Sequence, residues 1–128
     1  MRFMMLMLPR GYEGASAGIV PQAAAVDHMM KYNRSLQKAG ILLALDGLHP
    51  PAMGARVSFA GGHSSVSDGP FAETKEVVGG YWLIAVKSKA EAIEWARRCP
   101  AGDGDTIEIR QVHEVTDFPP EVQKVAHL

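Results

Sequence analysis

The first apolar stretch of the chain contains no polar residue. Residues 3 to 8 are all hydrophobic, so Phe3, Met5 and Met7 would point to one side of a strand and Met4, Leu6 and Leu8 to the other. A strand with two apolar faces is typical of a central position that is covered on both sides. The pattern therefore predicts an interior strand with helices on one face and another apolar layer on the other.

From about Pro21 to Ala39 the hydrophobic period changes to that of a helix. One stripe collects Ala25, Met29, Tyr32, Leu36 and Ala39, and the opposite side collects Asp27, Lys31, Arg34 and Lys38. Pro21 suits the first turn of a helix because its missing N–H costs nothing there, and Gly40 suits the left-handed stop after the last turn. The segment predicts an amphipathic helix that lies on the sheet.

The remaining elements follow in a regular order. Short strands are predicted at 41–45, 81–86 and 106–112, and a hairpin at 56–60 and 63–67 around Gly61-Gly62, which supply the positive φ angles of a tight turn. A second helix starts at Ser88, which forms a capping box with Glu91, and ends near Pro100. The last strand, with Ile107 and Ile109 on one side only, reads as an edge strand with one wet face.

This order predicts an α+β fold, the ferredoxin-like β-α-β-(hairpin)-β-α-β arrangement with helices on one face of an antiparallel sheet. Residues 1–128 form a single domain in this interpretation. The free face of the sheet would be covered by a second copy, so the sequence favours a homodimer. The tail from Asp117 to Leu128 is expected to clasp that dimer.

The composition of the chain limits the classes of partner, metal and cofactor that can be expected. Lys and Arg number 13 against 14 Asp and Glu, a formal net charge of −1, which gives no electrostatic reason to expect a nucleic acid or an anionic membrane. Cys99 is the one cysteine and the histidines lack metal-ligand spacing, so no metal and no cofactor is expected. The short apolar run at the start fits a buried strand better than a signal peptide. A cytoplasmic location is the resulting expectation.

A local motif links the chain to a known family. The run Asp68-Gly69-Pro70-Phe71-Ala72-Glu73-Thr74-Lys75-Glu76, followed by Gly79-Gly80-Tyr81-Trp82, resembles the DGPF domain of the YCII-related group. The segments GILLALDGLHP (40–50), WARRCP (95–100) and IEIR (107–110) resemble the same family. The resemblance implies a dimeric α+β barrel of ferredoxin-like subunits. It also implies a catalytic His and Asp, whose counterparts here are His28 and Asp46, with His28 close to the relatives' helix position but not at it.

Several residues are candidates for a site, each with a plainer interpretation. His28 lies at the border of the helix stripe, where it would move a proton while Asp46 or Glu73 orients its second nitrogen, or would serve structure alone. Asp68, Phe71, Lys75 and Tyr81 are the ligand-binding candidates, since loops on a rigid scaffold often carry sites. Asp68-Gly69-Pro70 is equally ordinary turn chemistry.

Two functions follow from this pattern. The first is binding of a small molecule in the lumen or mouth of the barrel, with acid–base chemistry of an isomerase or lyase kind. The second is a regulatory or interaction module without chemistry, linked to transcription regulation, in which Val122, Val125 and Ala126 of the tail contact a partner. The sequence leaves open whether the protein is an enzyme, which ligand it binds and whether His28 and Asp46 pair.

Overall fold

A computed structural model describes residues 1–71 and 74–127 of the chain. Within this part it shows an α+β fold with antiparallel sheets, as predicted. The elements in chain order are β1 (Arg2–Leu8), α1 (Ala23–Lys38), β2 (Leu42–Gly47), β3 (Ala55–Ala60), β4 (His63–Asp68), β5 (Gly80–Ala85), α2 (Lys89–Arg97), β6 (Thr106–Gln111) and α3 (Pro120–Gln123). Three short 3₁₀ turns lie at Tyr12–Gly14, Pro51–Met53 and Val115–Asp117.

The main sheet has the strand order β2-β5-β1-β6, and all its pairings are antiparallel. β1 is central, as its two apolar faces predicted: Met5 lies opposite Trp82 on β5 and opposite Ile109 on β6. β6 lies at the edge, and its exposed Glu108 and Arg110 confirm the wet face. The arrangement is consistent with the ferredoxin-like order expected from the sequence.

The hydrophobic core lies between one face of this sheet and the two long helices. Its fully buried side chains are Phe3, Met5, Leu36 and Ile84. Tyr32 of α1 meets Trp82 edge to face, with ring centroids 5.6 Å apart, and its hydroxyl donates to the Trp95 carbonyl of α2 (2.7 Å). Sheet and helices are thus joined by both apolar packing and a buried hydrogen bond.

The other face of the sheet is less covered. Met4, Leu6, Leu8 and Leu83 are half-buried there because their cross-strand neighbours shield them. We call this surface, together with Tyr81 and Asp46 on the same side, the open face. It is apolar at its centre and polar toward its edges.

β3 and β4 form a separate two-stranded sheet, joined by Gly61 (φ 57°) and Gly62 (φ 78°). The positive φ angles confirm the tight turn expected from the two glycines. Every residue of both strands is exposed. The hairpin therefore projects from the domain and does not extend the main sheet.

The first helix differs from its expectation in two ways. It begins at Ala23 with Gln22 in an extended conformation (ψ 142°), so the placement of Pro21 in the first turn was wrong. Its buried residues are Tyr32, Asn33 and Leu36, whereas Ala25 and Ala39 are exposed because the sheet does not reach the ends of the helix. Gly40 has φ 75° and ends the helix as predicted.

The second helix starts at the predicted cap. The Glu91 N–H donates to Ser88 Oγ (3.1 Å), but the Glu91 carboxylate accepts from the Lys87 N–H (3.0 Å) and not from Ser88 as a capping box requires. The reciprocal half of the box is therefore displaced by one residue. The tail contains the short helix α3.

Candidate functional site

A pocket opens where β2 ends and β5 begins. Gly47 and Gly80 lie directly opposite each other in this pairing, so no side chain fills the end of the sheet. The pocket has a volume of about 160 Å³. Its lining consists of Met7, Met29, Asn33, Leu45, Asp46, Gly47, Gly79, Gly80, Tyr81 and Trp82. We call it the sheet-end pocket.

Two of its glycines are required by close approach. A Cβ on Gly80 would lie 2.9 Å from the Asp46 carbonyl oxygen, and one on Gly79 would lie 2.5 Å from Cγ of Pro9. A Cβ on Gly47, by contrast, would meet nothing within 4 Å. The first two glycines therefore maintain the backbone geometry around the pocket, and Gly47 leaves it open.

Asn33 of α1 is a buried polar residue of the pocket lining and is only 8% exposed. Its Oδ1 accepts a hydrogen bond from the indole N–H of Trp82 at 2.8 Å. Its Nδ2 is 3.5 Å from the thioether sulfur of Met30, a weak acceptor. The wall of the pocket thus carries an amide donor whose protein partner is poor.

A second pocket, of about 350 Å³, adjoins the first because both are lined by Gly47 and Gly79. Tyr12, Ile19, Pro21, Leu48, His49 and Pro50 complete its lining. The Tyr12 hydroxyl donates to the Leu48 carbonyl at 2.6 Å, which fixes the loop after β2. His49, which the sequence did not single out as a site residue, is exposed beside this pocket.

Asp46 and Tyr81 form a hydrogen-bonded pair next to the sheet-end pocket. They are opposite each other in the β2·β5 register, and the Tyr81 hydroxyl donates to Asp46 Oδ2 at 2.8 Å. This hydrogen bond raises the pKa of Tyr81 above its ordinary value, so the phenol stays protonated at neutral pH. Since Trp82 and Leu45 face the helices, strand alternation places the side chains of Tyr81 and Asp46 on the open face.

The other predicted site residues lie apart from this pair. His28 is exposed on α1, and within residues 1–71 and 74–127 no hydrogen bond or ion pair joins it to Asp46. Asp68 ends β4, Phe71 lies under the guanidinium of Arg56 at 4.1 Å, and Lys75 is exposed. None of these four lines either pocket. Glu73 lies outside the described residues.

Sequence reasoning missed the innermost residues of the pocket. Asn33 stands on the buried stripe of α1, between Met29 and Leu36, and it is a polar residue where an apolar one would be expected. That exception was the available signal, since a buried amide needs a hydrogen-bond partner. The partner, Trp82, lies 49 residues along the chain and could not be assigned from spacing.

Metal binding, the thiol of Cys99 and the lengths of the helices can also be assessed. In the part of the chain that the structure describes, no cluster of three His, Cys, Asp or Glu side chains is arranged to hold a metal ion. Burial, with a smaller contribution from Asp105, raises the pKa of the Cys99 thiol to about 11. Among the same described residues, none of the helices has the length and hydrophobicity needed to cross a bilayer.

The fold and the pocket define a class: an α+β protein with an antiparallel sheet, two covering helices and a small cleft at the end of the sheet. The model of the YCII-related domain matches residues 1–116, and the chain belongs to that family, as the motif around Asp68 indicated. An uncharacterized protein of Rhizobium meliloti (strain 1021) is 41% identical over 64 residues, which is 50% of this chain. The chain spans about half (52%) of the length of that relative.

Proposed function

We propose that this YCII-related protein binds a small, largely apolar molecule in the sheet-end pocket. The observation that supports this best is the buried Asn33, which lines the pocket together with Met7, Met29 and Leu45. Apolar walls with a few convergent polar groups are the usual composition of a ligand site. The Asn33 amide would donate to a carbonyl or hydroxyl oxygen of the ligand.

The size of the cleft sets the size of the ligand. The two adjoining pockets together offer about 500 Å³, within the range of roughly 300–1,000 Å³ that small-molecule sites occupy. The ligand's apolar part would fill the sheet-end pocket and its polar part would extend past Gly47 toward His49. A molecule of metabolite size with one apolar end would fit the two adjoining pockets in this way.

The chemistry proposed for the site is proton transfer of an isomerase or lyase kind. Asp46 would be the base, and Tyr81, whose hydroxyl donates to it, would orient the carboxylate and accept a hydrogen bond from the ligand. His28 remains the proton carrier proposed from the sequence, with Glu73 as a carboxylate that would orient it, and Asp68, Phe71 and Lys75 remain proposed ligand contacts. Binding is the primary proposal, and turnover depends on Asp46.

Two copies would associate through their open faces into a dimeric α+β barrel. The half-buried Met4, Leu6 and Leu83 support this, because a face of that composition gains from exclusion of water. The barrel mouth would then lie at the end of the sheet, next to Asp46 and Tyr81. The tail after Asp117 would cover part of the dimer interface, since Val125 is 74% exposed in one copy.

Native mass spectrometry of untagged protein from its own host tests the binding proposal. The wild-type chain should carry a small-molecule mass that is released on denaturation and can then be identified. Gly47→Val should lose that mass because the added side chain enters the cleft. Gly18→Val is the matched control, since Gly18 also meets nothing within 4 Å but lines neither pocket. Bare wild-type chains, or equal retention by both variants, would refute the proposal.

Once the ligand is known, Asp46→Asn separates binding from chemistry. The variant should retain ligand affinity within a fewfold and lose at least a hundredfold in turnover, as expected for loss of a general base. Unchanged turnover would remove Asp46 as the base, and a wild-type protein without turnover would have a binding role only. Unchanged turnover in His28→Ala would remove His28 from the mechanism.

A second function is favoured by exposed apolar residues of the tail. Val122 and Val125 lie on and just after α3 and are 37% and 74% exposed. A non-catalytic module of transcription regulation would use such residues to contact another protein. Deleting residues 117–128 should weaken the dimer if the tail clasps it, whereas an intact dimer that loses a co-purifying regulator would favour this alternative.

A further inference from the structure

The β3–β4 hairpin has one apolar and one polar face. The register pairs Val57 with Val66 and Phe59 with Ser64, so Val57, Phe59 and Val66 share a face. Their exposed fractions are 54%, 81% and 68%. The opposite face carries Ser58 and Ser65. We call the first surface the hairpin apolar face.

The chain's own contacts lie on the other side. Arg56 projects from the polar face, and its guanidinium lies over the ring of Phe71 at 4.1 Å. At the base of the hairpin the Gly69 N–H donates to the Gly54 carbonyl (2.9 Å). These contacts hold the hairpin at its base and on its polar face. Among the described residues, the three large side chains of the hairpin apolar face stay 54–81% exposed.

A hairpin of this kind needs a further contact. Two strands alone are marginally stable in water, and a face with three large exposed apolar residues normally marks an interaction surface. Within the described residues, β3 and β4 pair only with each other. Val57, Phe59 and Val66 lie on one side, with Ser64 opposite Phe59, and Ser58 and Ser65 lie on the other, a pattern typical of a surface buried on one side.

We propose that the hairpin apolar face is an arm that packs on a second copy of this chain and completes the dimer interface. The inference rests on the proposed dimer. The surface area that a stable dimer must bury supports this proposal. Four strands of about six residues cover only about 400 Å² per copy. Two open faces packed together would therefore bury about 800 Å² in total, which is the level of crystal-packing contacts.

The two arms supply the missing area. Each hairpin face adds about 200 Å² and covers about as much on the partner, which raises the total to roughly 1,600 Å², the standard size of a stable interface. In a dimer with two-fold symmetry every contact occurs twice, so one hairpin arm per chain is enough to supply this area. A second copy of the chain would cover both the open face and the hairpin apolar face. An unrelated partner bound to the hairpin would leave the open face exposed to solvent.

Adjacent residues on β4 provide a matched test by sedimentation equilibrium. Val66→Glu places a charge on the apolar face and should raise the dimer dissociation constant at least tenfold. Ser65→Glu places the same charge on the polar face and should change it less than twofold. Both positions lie outside the core, so circular dichroism should show equal folding. Equal dissociation constants for the two variants and wild type would overturn the arm and leave the open-face dimer standing.

A photo-crosslinking amino acid at position 59 gives a second readout in an otherwise unchanged chain. It should yield a covalent dimer, and the same group at position 58 should not. Cross-links from position 59 to other proteins alone, or equal yields from both positions, would overturn the inference. A wild-type chain that sediments as a monomer at all concentrations would overturn both the arm and the proposed dimer, yet the ligand mass would still test the pocket.

Discussion

The indole N–H of Trp82 donates to Oδ1 of Asn33 across 2.8 Å, and both residues are buried. This bond joins the middle of α1 to β5, and it also fixes the orientation of the amide in the sheet-end pocket. A polar pair inside a core is stable only when both members are satisfied. Stability and the proposed binding site therefore depend on the same contact.

Removal of the acceptor should be costly. Asn33→Leu leaves the Trp82 N–H buried without a partner and is expected to lower the free energy of unfolding by about 1–3 kcal/mol. The measurement is urea unfolding at pH 7. In a Trp82→Phe background the same change should cost less, because the donor is already absent. Additive costs in the double variant would contradict a direct hydrogen bond.

A serine that caps a helix and a serine within a helix should respond differently to alanine. Ser88→Ala removes the cap on the Glu91 N–H and should destabilise the protein by about 1 kcal/mol. Ser35→Ala is the control: the Ser35 hydroxyl donates to the Tyr32 carbonyl within α1, so its loss should change stability by less than about 0.5 kcal/mol. Thermal and urea unfolding measure both. Equal effects would contradict the capping role.

Alkaline pH should destabilise the fold through Tyr32. Burial raises the pKa of its phenol above the ordinary 10, because the charged form is poorly solvated there. Since the folded-state pKa is the higher one, the stabilisation is complete below pH 10 and is lost as pH rises through the folded value. Unfolding free energies measured from pH 9 to 12 should fall less steeply for Tyr32→Phe than for wild type. Parallel curves would exclude this group as the cause.

Asp46 should control the ionisation of Tyr81. Because the hydrogen bond to Asp46 raises the pKa of Tyr81, Asp46→Asn should move that phenol back toward its ordinary value. Phenolate absorbance during an alkaline titration measures this, with Tyr81→Phe identifying the phase that belongs to Tyr81. A titration unchanged by Asp46→Asn would show that the pair does not form in solution.

Cys99 should be slow to react. With a thiol pKa of about 11, little thiolate is present at pH 8, and the thiolate is the reactive form. Reaction with an aromatic disulfide at pH 8 should be at least tenfold slower in the folded protein than in urea. In the folded state the rate should keep rising toward pH 11. Equal folded and unfolded rates would contradict the burial of this thiol.

Local rules were sufficient for most of the elements. The two apolar faces of β1, the glycines between β3 and β4 and the Ser88 cap each depend on neighbours within a few residues, and all were predicted. The detachment of the hairpin from the main sheet was not, because strand patterning does not say which sheet a hairpin joins. The shift of the α1 start to Ala23 reflects the weak signal that helix ends carry.

The candidate site could be predicted only in part. Asp46 and Tyr81 were both named, but nothing in the sequence indicated that they lie opposite each other. The pocket arises from Gly47 facing Gly80 and from Asn33 reaching Trp82, which are pairings across more than thirty residues. Long-range register is a property of the whole fold, and local patterns do not contain it.

The central position of β1 has a consequence for synthesis. Its pairing partners β5 and β6 span residues 80–111, so they follow it by about 70 residues or more. At roughly 5–20 residues per second, the ribosome needs about 4–15 s to reach β5 and about 5–20 s to complete β6. During that interval the Met-rich β1 segment has neither of these strands to pair with, so its backbone can pair with other chains. The nascent chain thus depends on whatever shields this segment until its last strand emerges.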